Sequence, residues 1–276
     1  MLLVFIILTA PFWISLILAI IHYHIQKIKY LSFVFLNPAL SFRYKRILQK
    51  KFPYYQSLPI ELKRVFENRL NYFLQHKEFE PRNMKKVTDE MKVLVGACAV
   101  QLTFGYKPLK LASFPKIILY PSQYYSKYTK RTHKGEVNIK GAIVLSWEDF
   151  LHGYKIPDDG INLGIHEMAH AIKLEDAIQD EEYAFMDHDS IIEFHKISTK
   201  EFNRIRRGEK SFIRSYAGTN REEFFAVCTE QFFEQPFEFK EQLPELYEAL
   251  KNLLNQDPTK YLKNPGSEAS NLQEEN

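Results

Sequence analysis

The stretch DGINLGIHEMAHAIKLED, residues 159–176, decides the fold class. Asp158-Asp159-Gly160 makes a turn into a helix expected over residues 162–173. Within that helix His166 and His170 stand four apart, about 40° of rotation and one turn of rise, so their ring nitrogens can meet on one ion. Imidazole suits zinc. Glu167, on the adjoining edge of the helix, can take the proton of a water that zinc acidifies, which is what hydrolytic attack on a carbonyl needs. Composition alone would produce His-Glu-x-x-His by chance about 3% of the time, and the surroundings lower the odds further. Ile161, Leu163 and Ile165 precede the motif and Ala171, Ile172 and Leu174 follow it, so the helix reads as buried. Two unpaired imidazoles and a carboxylate would be costly there without a partner. A purely structural metal would leave Glu167 without a task, because closed structural sites favour Cys and four protein ligands.

A catalytic metal needs a third protein ligand. The metzincin layout would require Gly at 173 and His at 176; the chain has Lys173 and Asp176, which excludes that class. Asp176 in a compact variant of that layout, His188 and His195 are further candidates. A carboxylate in NREEFFAVCTEQFFEQP, residues 220–236, is the better one: an acid among Phe224, Phe225, Ala226, Val227, Phe232 and Phe233 needs a reason to be there. Periodicity leaves Glu222 and Glu223 both open, and capping behind Thr219 or Asn220 is the ordinary role for either.

Outward from these motifs, the chain of 276 residues carries 37 Lys and Arg against 34 Asp and Glu, a net charge of +3 that argues against a nucleic-acid partner. Sixteen Tyr, 22 Phe and 45% apolar residues exclude global disorder. Cys98 and Cys228 sit in apolar helical contexts, so no disulfide framework is indicated and a reducing compartment fits. Residues 1–21 carry no charged side chain, and about 21 residues at 1.5 Å each span roughly 31 Å, the thickness of a bilayer core. One N-terminal transmembrane helix over residues 1–26 is therefore expected. Lys27, Lys29, Arg43, Lys45, Arg46, Lys50 and Lys51 follow it, and the first acid is Glu61. The positive-inside rule then makes the protein single-pass, with its main domain cytoplasmic and residues 27–57 a basic juxtamembrane segment lying against anionic lipid. Residues 30–42 are either a membrane-surface segment or a second membrane contact. One domain is expected over residues 58–262, and a polar, disordered tail over residues 263–276. Within it helices are expected over residues 58–75, 88–104, 162–173, 181–195, 200–207, 221–235 and 246–255, with strands in residues 114–121 and 141–147. The polar stretch between the two strands reads as an exposed loop or hairpin.

Five segments together resemble the Mlc titration factor A family of zinc-dependent peptidases, a gluzincin-like group: KVTDEMKVLVGACAVQL (86–102), KIILYPSQY (116–124), IVLSWEDFLHG (143–153), DGINLGIHEMAH (159–170) and SYAGTNREEFFAVCTEQFFEQP (215–236). The resemblance covers residues 58–258. It implies an α+β zincin-like metallopeptidase domain with a small mixed sheet beside the active-site helix. It implies Zn2+ held by His166, His170 and Glu223, which settles the third ligand on Glu223 rather than Glu222. It also implies that Tyr216 hydrogen-bonds the oxyanion. Lys173 departs from the family, whose members often carry an acid there. The family's name comes from sequestering a sugar-uptake repressor.

Two functions are therefore expected. The first is a membrane-anchored zinc metallopeptidase acting on a peptide or protein substrate, with Glu167 as general base and residues 143–146 as the edge strand that receives an extended peptide. The alternative is a regulatory binding protein whose zinc core is a scaffold and which sequesters a transcription factor or signalling partner at the membrane. An intramembrane protease is disfavoured, because the motif lies far from the apolar run.

Overall fold

The computed structural model describes residue 17 and residues 39–126, 130–138, 140–179 and 184–262. The chain divides into two compact units, Met1–Ala39 and Leu40–Asn276. Apart from Ile17, which is helical and exposed, the expected transmembrane helix lies outside the described residues, as does the expected tail. Among the described residues no helix is long and apolar enough to cross a membrane.

The second unit starts earlier than the domain boundary expected at residue 58. Helices α1 (Phe42–Lys51) and α2 (Pro53–Ser57) bury Leu48, Phe52, Tyr54 and Tyr55 in the common core. Three bases of the N-terminal cluster meet acids of the domain: Arg43 reaches Asp89 at 2.9 Å, Lys45 reaches Glu67 at 2.6 Å and Lys51 reaches Glu90 at 2.6 Å. Helix α3 (Ile60–Gln75) follows, then strand β1 (Glu78–Pro81) and helix α4 (Asp89–Thr103). Thr88 caps α4 by accepting from Met91 N at 3.3 Å, as its position before the apolar run requires. Every residue of α4 from Val93 to Thr103 is buried, so this helix is apolar all round and forms the centre of the unit. It packs against α1, α3 and the motif helix. Cys98 is a free, buried thiol there, and burial pushes its pKa up to about 12, so it is inert packing.

Strand β2 (Lys116–Tyr120) pairs parallel with β1, the α4 segment forming the crossover. A hairpin of β3 (Tyr124–Ser126) and β4 (Arg131–His133) leads into β5 (Gly135–Asn138) and β6 (Ala142–Ser146). The sheet order is β1-β2-β6-β5, with β6 parallel to β2 and antiparallel to β5. Residues 143–146 are thus not the edge strand. Ile143, Leu145 and Ser146 are fully buried, the signature of a strand covered on both faces. The polar segment Gly135–Asn138 takes the edge, turning back through Gly141, whose φ is +92° and whose N–H bonds Asn138 O at 2.9 Å.

Helix α5 (Trp147–Lys155), absent from the sequence expectations, continues directly from β6 and is capped by Ser146. The motif helix α6 runs Leu163–Ile178 behind Asn162. The two helices expected over residues 181–207 are one, α7 (His188–Arg206). A 3-10 turn (Ser215–Gly218), α8 (Arg221–Glu234), α9 (Pro236–Gln242) and α10 (Pro244–Leu254) complete the unit. Helix α6 lies between the edge strand β5 on one side and α8 on the other.

Helices α1 and α2 are integral, so a chain beginning at residue 58 is expected to lose the cooperative thermal unfolding that a chain beginning at residue 39 shows. Phe52→Ala alone should cost about 3–5 kcal/mol in denaturant titration. Equal midpoints for the two truncations would contradict this.

Candidate metal centre

Helix α6 presents His166 and His170 on one face, as the four-residue spacing requires, and α8 brings Glu223 to them. His166 Nε2 and His170 Nε2 stand 3.2 Å apart. Glu223 Oε2 lies 3.0 Å from the first and Glu223 Oε1 3.6 Å from the second. One donor atom from each of the three residues falls within 4.8 Å of the others. Of the two Glu that periodicity left open, Glu223 is the one that stands beside the histidines. Glu222 is turned outward, its Oε1 3.4 Å from Lys173 Nζ, while Glu223 faces the histidines. Lys173, the departure from the family pattern, thus has an acid of its own. Asp176 does not join the cluster; its Oδ1 accepts from Phe185 N and Met186 N at 2.9 Å and holds the chain after α6. His188 and His195 are exposed on α7 and outside the cluster.

A carboxylate that the sequence reading passed over organises this group. Glu230, only 2% exposed, accepts at Oε1 from His166 Nδ1 at 2.8 Å and from Arg214 Nη2 at 2.6 Å, and at Oε2 from Asn162 N at 2.6 Å. The bond to Nδ1 commits that nitrogen as donor and aims Nε2 at His170 and Glu223. The signal was present: Glu230 follows Glu223 by seven residues, two helical turns, and so shares its face. Asn162 also donates from Nδ2 to Glu234 at 2.9 Å and caps α6 by accepting from Ile165 N at 3.1 Å.

The electrostatics call for a cation. Glu223 Oε2 is buried and faces His166 Nε2 at 3.0 Å. Burial opposes charge on His166, but Glu223 and Glu230 outweigh it and raise the imidazole to about 10. Burial likewise opposes charge on Glu223, yet the two histidines hold its carboxyl well below the usual range. Glu167 is raised to about 8, first by burial and then, against the pull of His166, by the neighbouring carboxylates. A single proton bridges two of the three converging atoms; a metal ion would serve all three at once. A set of two imidazole nitrogens and one carboxylate, with room beside it, fits a metal that keeps an open position.

Two open hollows of about 560 and 540 Å³ meet at this point. His133, Gly135, His166, Glu167 and Tyr216 line both. Tyr216 stands in the 3-10 turn before α8, half exposed, its ring 6.0 Å from that of His166. Partial burial and then the Glu223 carboxylate keep its phenol above the ordinary value.

Residues 34–254 match the family model for the glucose-regulated metallo-peptidase M90. The chain belongs to the M90 metallo-peptidase family. Among its relatives are an uncharacterized protein of Synechocystis sp., 26% identical over 78% of this chain and 84% of that protein. Mlc titration factor A of Serratia proteamaculans is 25% identical over 71% of this chain and 81% of its own length. Mlc titration factor A of Escherichia fergusonii is 31% identical over 48% and 51%. The M90 match takes in residues 40–57, in agreement with their packing into the domain, and includes every residue of the cluster.

Two outcomes follow. Glu230→Gln keeps an acceptor for His166 but loses the charge that steadies it, and metal affinity should fall about 10- to 100-fold in competition titrations. Unchanged affinity would remove Glu230 from the site. The raised His166 value gives metal-free protein a stabilising contribution that is complete below the ordinary imidazole range and is lost as pH rises through about 10. Metal uptake at pH 7 should therefore release about one proton per ion from His166, with Glu167, raised to about 8, adding to it, visible as buffer-dependent heat in calorimetry; heats independent of buffer would contradict it.

Proposed function

We propose that this M90 protein is a zinc-dependent peptidase. The observation that carries the proposal is the placement of Glu167, buried on the same helix as the two histidines and lining both hollows. Zn2+, when bound by His166, His170 and Glu223, would supply the positive charge that acidifies water and polarises a carbonyl. The chain's own residues account for the rest. An extended peptide lies along the edge strand β5, where strand addition satisfies its backbone groups. Its scissile bond falls where the two hollows meet. Glu167 takes the proton of the attacking water and passes it to the departing amine. Tyr216, across the junction, donates its hydroxyl to the oxygen that becomes negative as the carbonyl carbon turns tetrahedral. The apolar run of residues 1–21 adds the proposal that this chemistry takes place at a membrane, with the domain on the cytoplasmic side; its support is the sequence alone.

A second reading is supported by the relatives' name. Mlc titration factor A denotes a protein defined by what it titrates, and a regulatory protein partner carried over to this chain would make the metal centre a scaffold for binding. The name favours binding more directly than hydrolysis; the family description and Glu167 favour hydrolysis.

Glu167→Gln separates them. It should retain the metal and lose cleavage of a fluorogenic peptide library, and in a strain lacking the gene it should fail to restore the phenotype if hydrolysis is the function. Full restoration by the inactive variant would favour the binding role. Tyr216→Phe should lower kcat by about ten- to a thousandfold with metal retained; an unchanged kcat would remove Tyr216 from the mechanism.

A further inference from the structure

Gly135 opens the edge strand at a point where a side chain fits only if Glu167 moves. A Cβ built on its backbone would stand 2.6 Å from Glu167 Cγ, 2.6 Å from Oε1 and 2.7 Å from the carboxyl carbon. Ordinary contacts between such atoms begin at about 3.5 Å. Backbone conformation does not explain the glycine, because the positive-φ glycines are Gly141, Gly160 and Gly208. The neighbour is not a mobile surface group either, since Glu167 is 6% exposed. The absent methyl therefore matters to one thing, the approach of β5 to the Glu167 carboxylate.

The pairing of the strand supplies a second, independent observation. Ser146 N–H donates to Lys134 O at 2.7 Å, and Gly135 then lies opposite Leu145 and Val137 opposite Ile143. Bonded and non-bonded pairs alternate along an antiparallel ladder. Lys134, Glu136 and Asn138 thus turn their backbone groups toward β6, and Gly135 and Val137 turn theirs toward the open edge. Gly135 borders both hollows, whereas Val137 borders only the one that holds His170 and Glu223. Of the two open-edge positions on β5, the one that borders both hollows is therefore also the one that lies against Glu167.

We propose that Gly135 is the positioning residue of this cleft. Lacking a side chain, it lets the strand that receives the substrate backbone lie directly on the group that moves the proton, which sets the distance between the scissile bond and Glu167. The proposal rests on the hydrolytic reading above. A methyl at this position would drive the carboxylate away by about 1 Å, and a displacement of that size costs about a hundredfold in rate.

The test uses the full chain with Gly135→Ala, Glu167→Asp and the two combined. Aspartate is one methylene shorter and makes room for the methyl. In metal-free protein, Gly135→Ala should lower the thermal midpoint by about 3–6 °C, and its effect should be smaller when Glu167 is already Asp. In zinc-loaded protein, Gly135→Ala should lower kcat about a hundredfold on a fluorogenic peptide drawn from a mixed library. KM should stay within about threefold and zinc content should be unchanged. Additive midpoints, or a kcat within about twofold of wild type, would overturn the proposal. Absence of cleavage by wild type would instead remove the hydrolytic reading, and full turnover by Glu167→Gln would remove Glu167 as the proton carrier and this proposal with it; in either case the midpoint coupling would still decide whether the strand and the carboxylate meet.

Discussion

One buried carboxylate ties the centre of this molecule together. Glu230 holds the ring of His166, the guanidinium of Arg214 and the first turn of α6 at once, through three hydrogen bonds of 2.6 to 2.8 Å. Each bond fixes a different degree of freedom: the tautomer of His166, the segment that carries Tyr216, and the register between α6 and α8. Because Glu223 sits two turns earlier on the same helix, fixing that register also carries it to the histidines. The cluster is thus a consequence of how two helices pack, and its cost in desolvation is offset only when positive charge occupies the centre.

That arrangement explains why the rest of the unit is built as it is. Helix α4, buried from Val93 to Thr103, packs against α6 and against α1. The sheet's single antiparallel strand, β5, leaves an exposed backbone edge beside Glu167. His166, Glu167 and His170 on α6, Glu223 on α8 and the open edge of β5 thus come from three elements, each held by its own contacts, which is how a rigid scaffold keeps groups in place.

Much of this was legible from residues alone. The His-Glu-x-x-His spacing placed its two imidazoles on one helical face, and the apolar flanks showed that the face was buried. Alternation and capping signals located α3, α4, β2, β6 and α8 to within a few residues. Other features were not legible. Glu222 and Glu223 differ by 100° around a helix that is apolar over most of its circumference, so the choice depended on resemblance until geometry placed one against the histidines. The sheet edge was assigned to residues 143–146 because they are the most strand-like. An edge strand, however, is set by pairing order, and the short polar GEVN segment has no pattern that announces it. Residues 27–57 read as a basic juxtamembrane segment because their bases follow the apolar run, while the acids that three of those bases meet, Glu67, Asp89 and Glu90, are distant in sequence. Glu230 needed only the question of what faces His166 from a neighbouring helix.

The central claim is that His166, His170 and Glu223 converge on one cation. Its most direct test is the metal content, by mass spectrometry, of extensively dialysed full-length wild type, Glu223→Ala and Glu222→Ala. One metal ion per chain is predicted for wild type and Glu222→Ala, with loss of the ion in Glu223→Ala. Retention by Glu223→Ala, or loss by Glu222→Ala alone, would contradict the account.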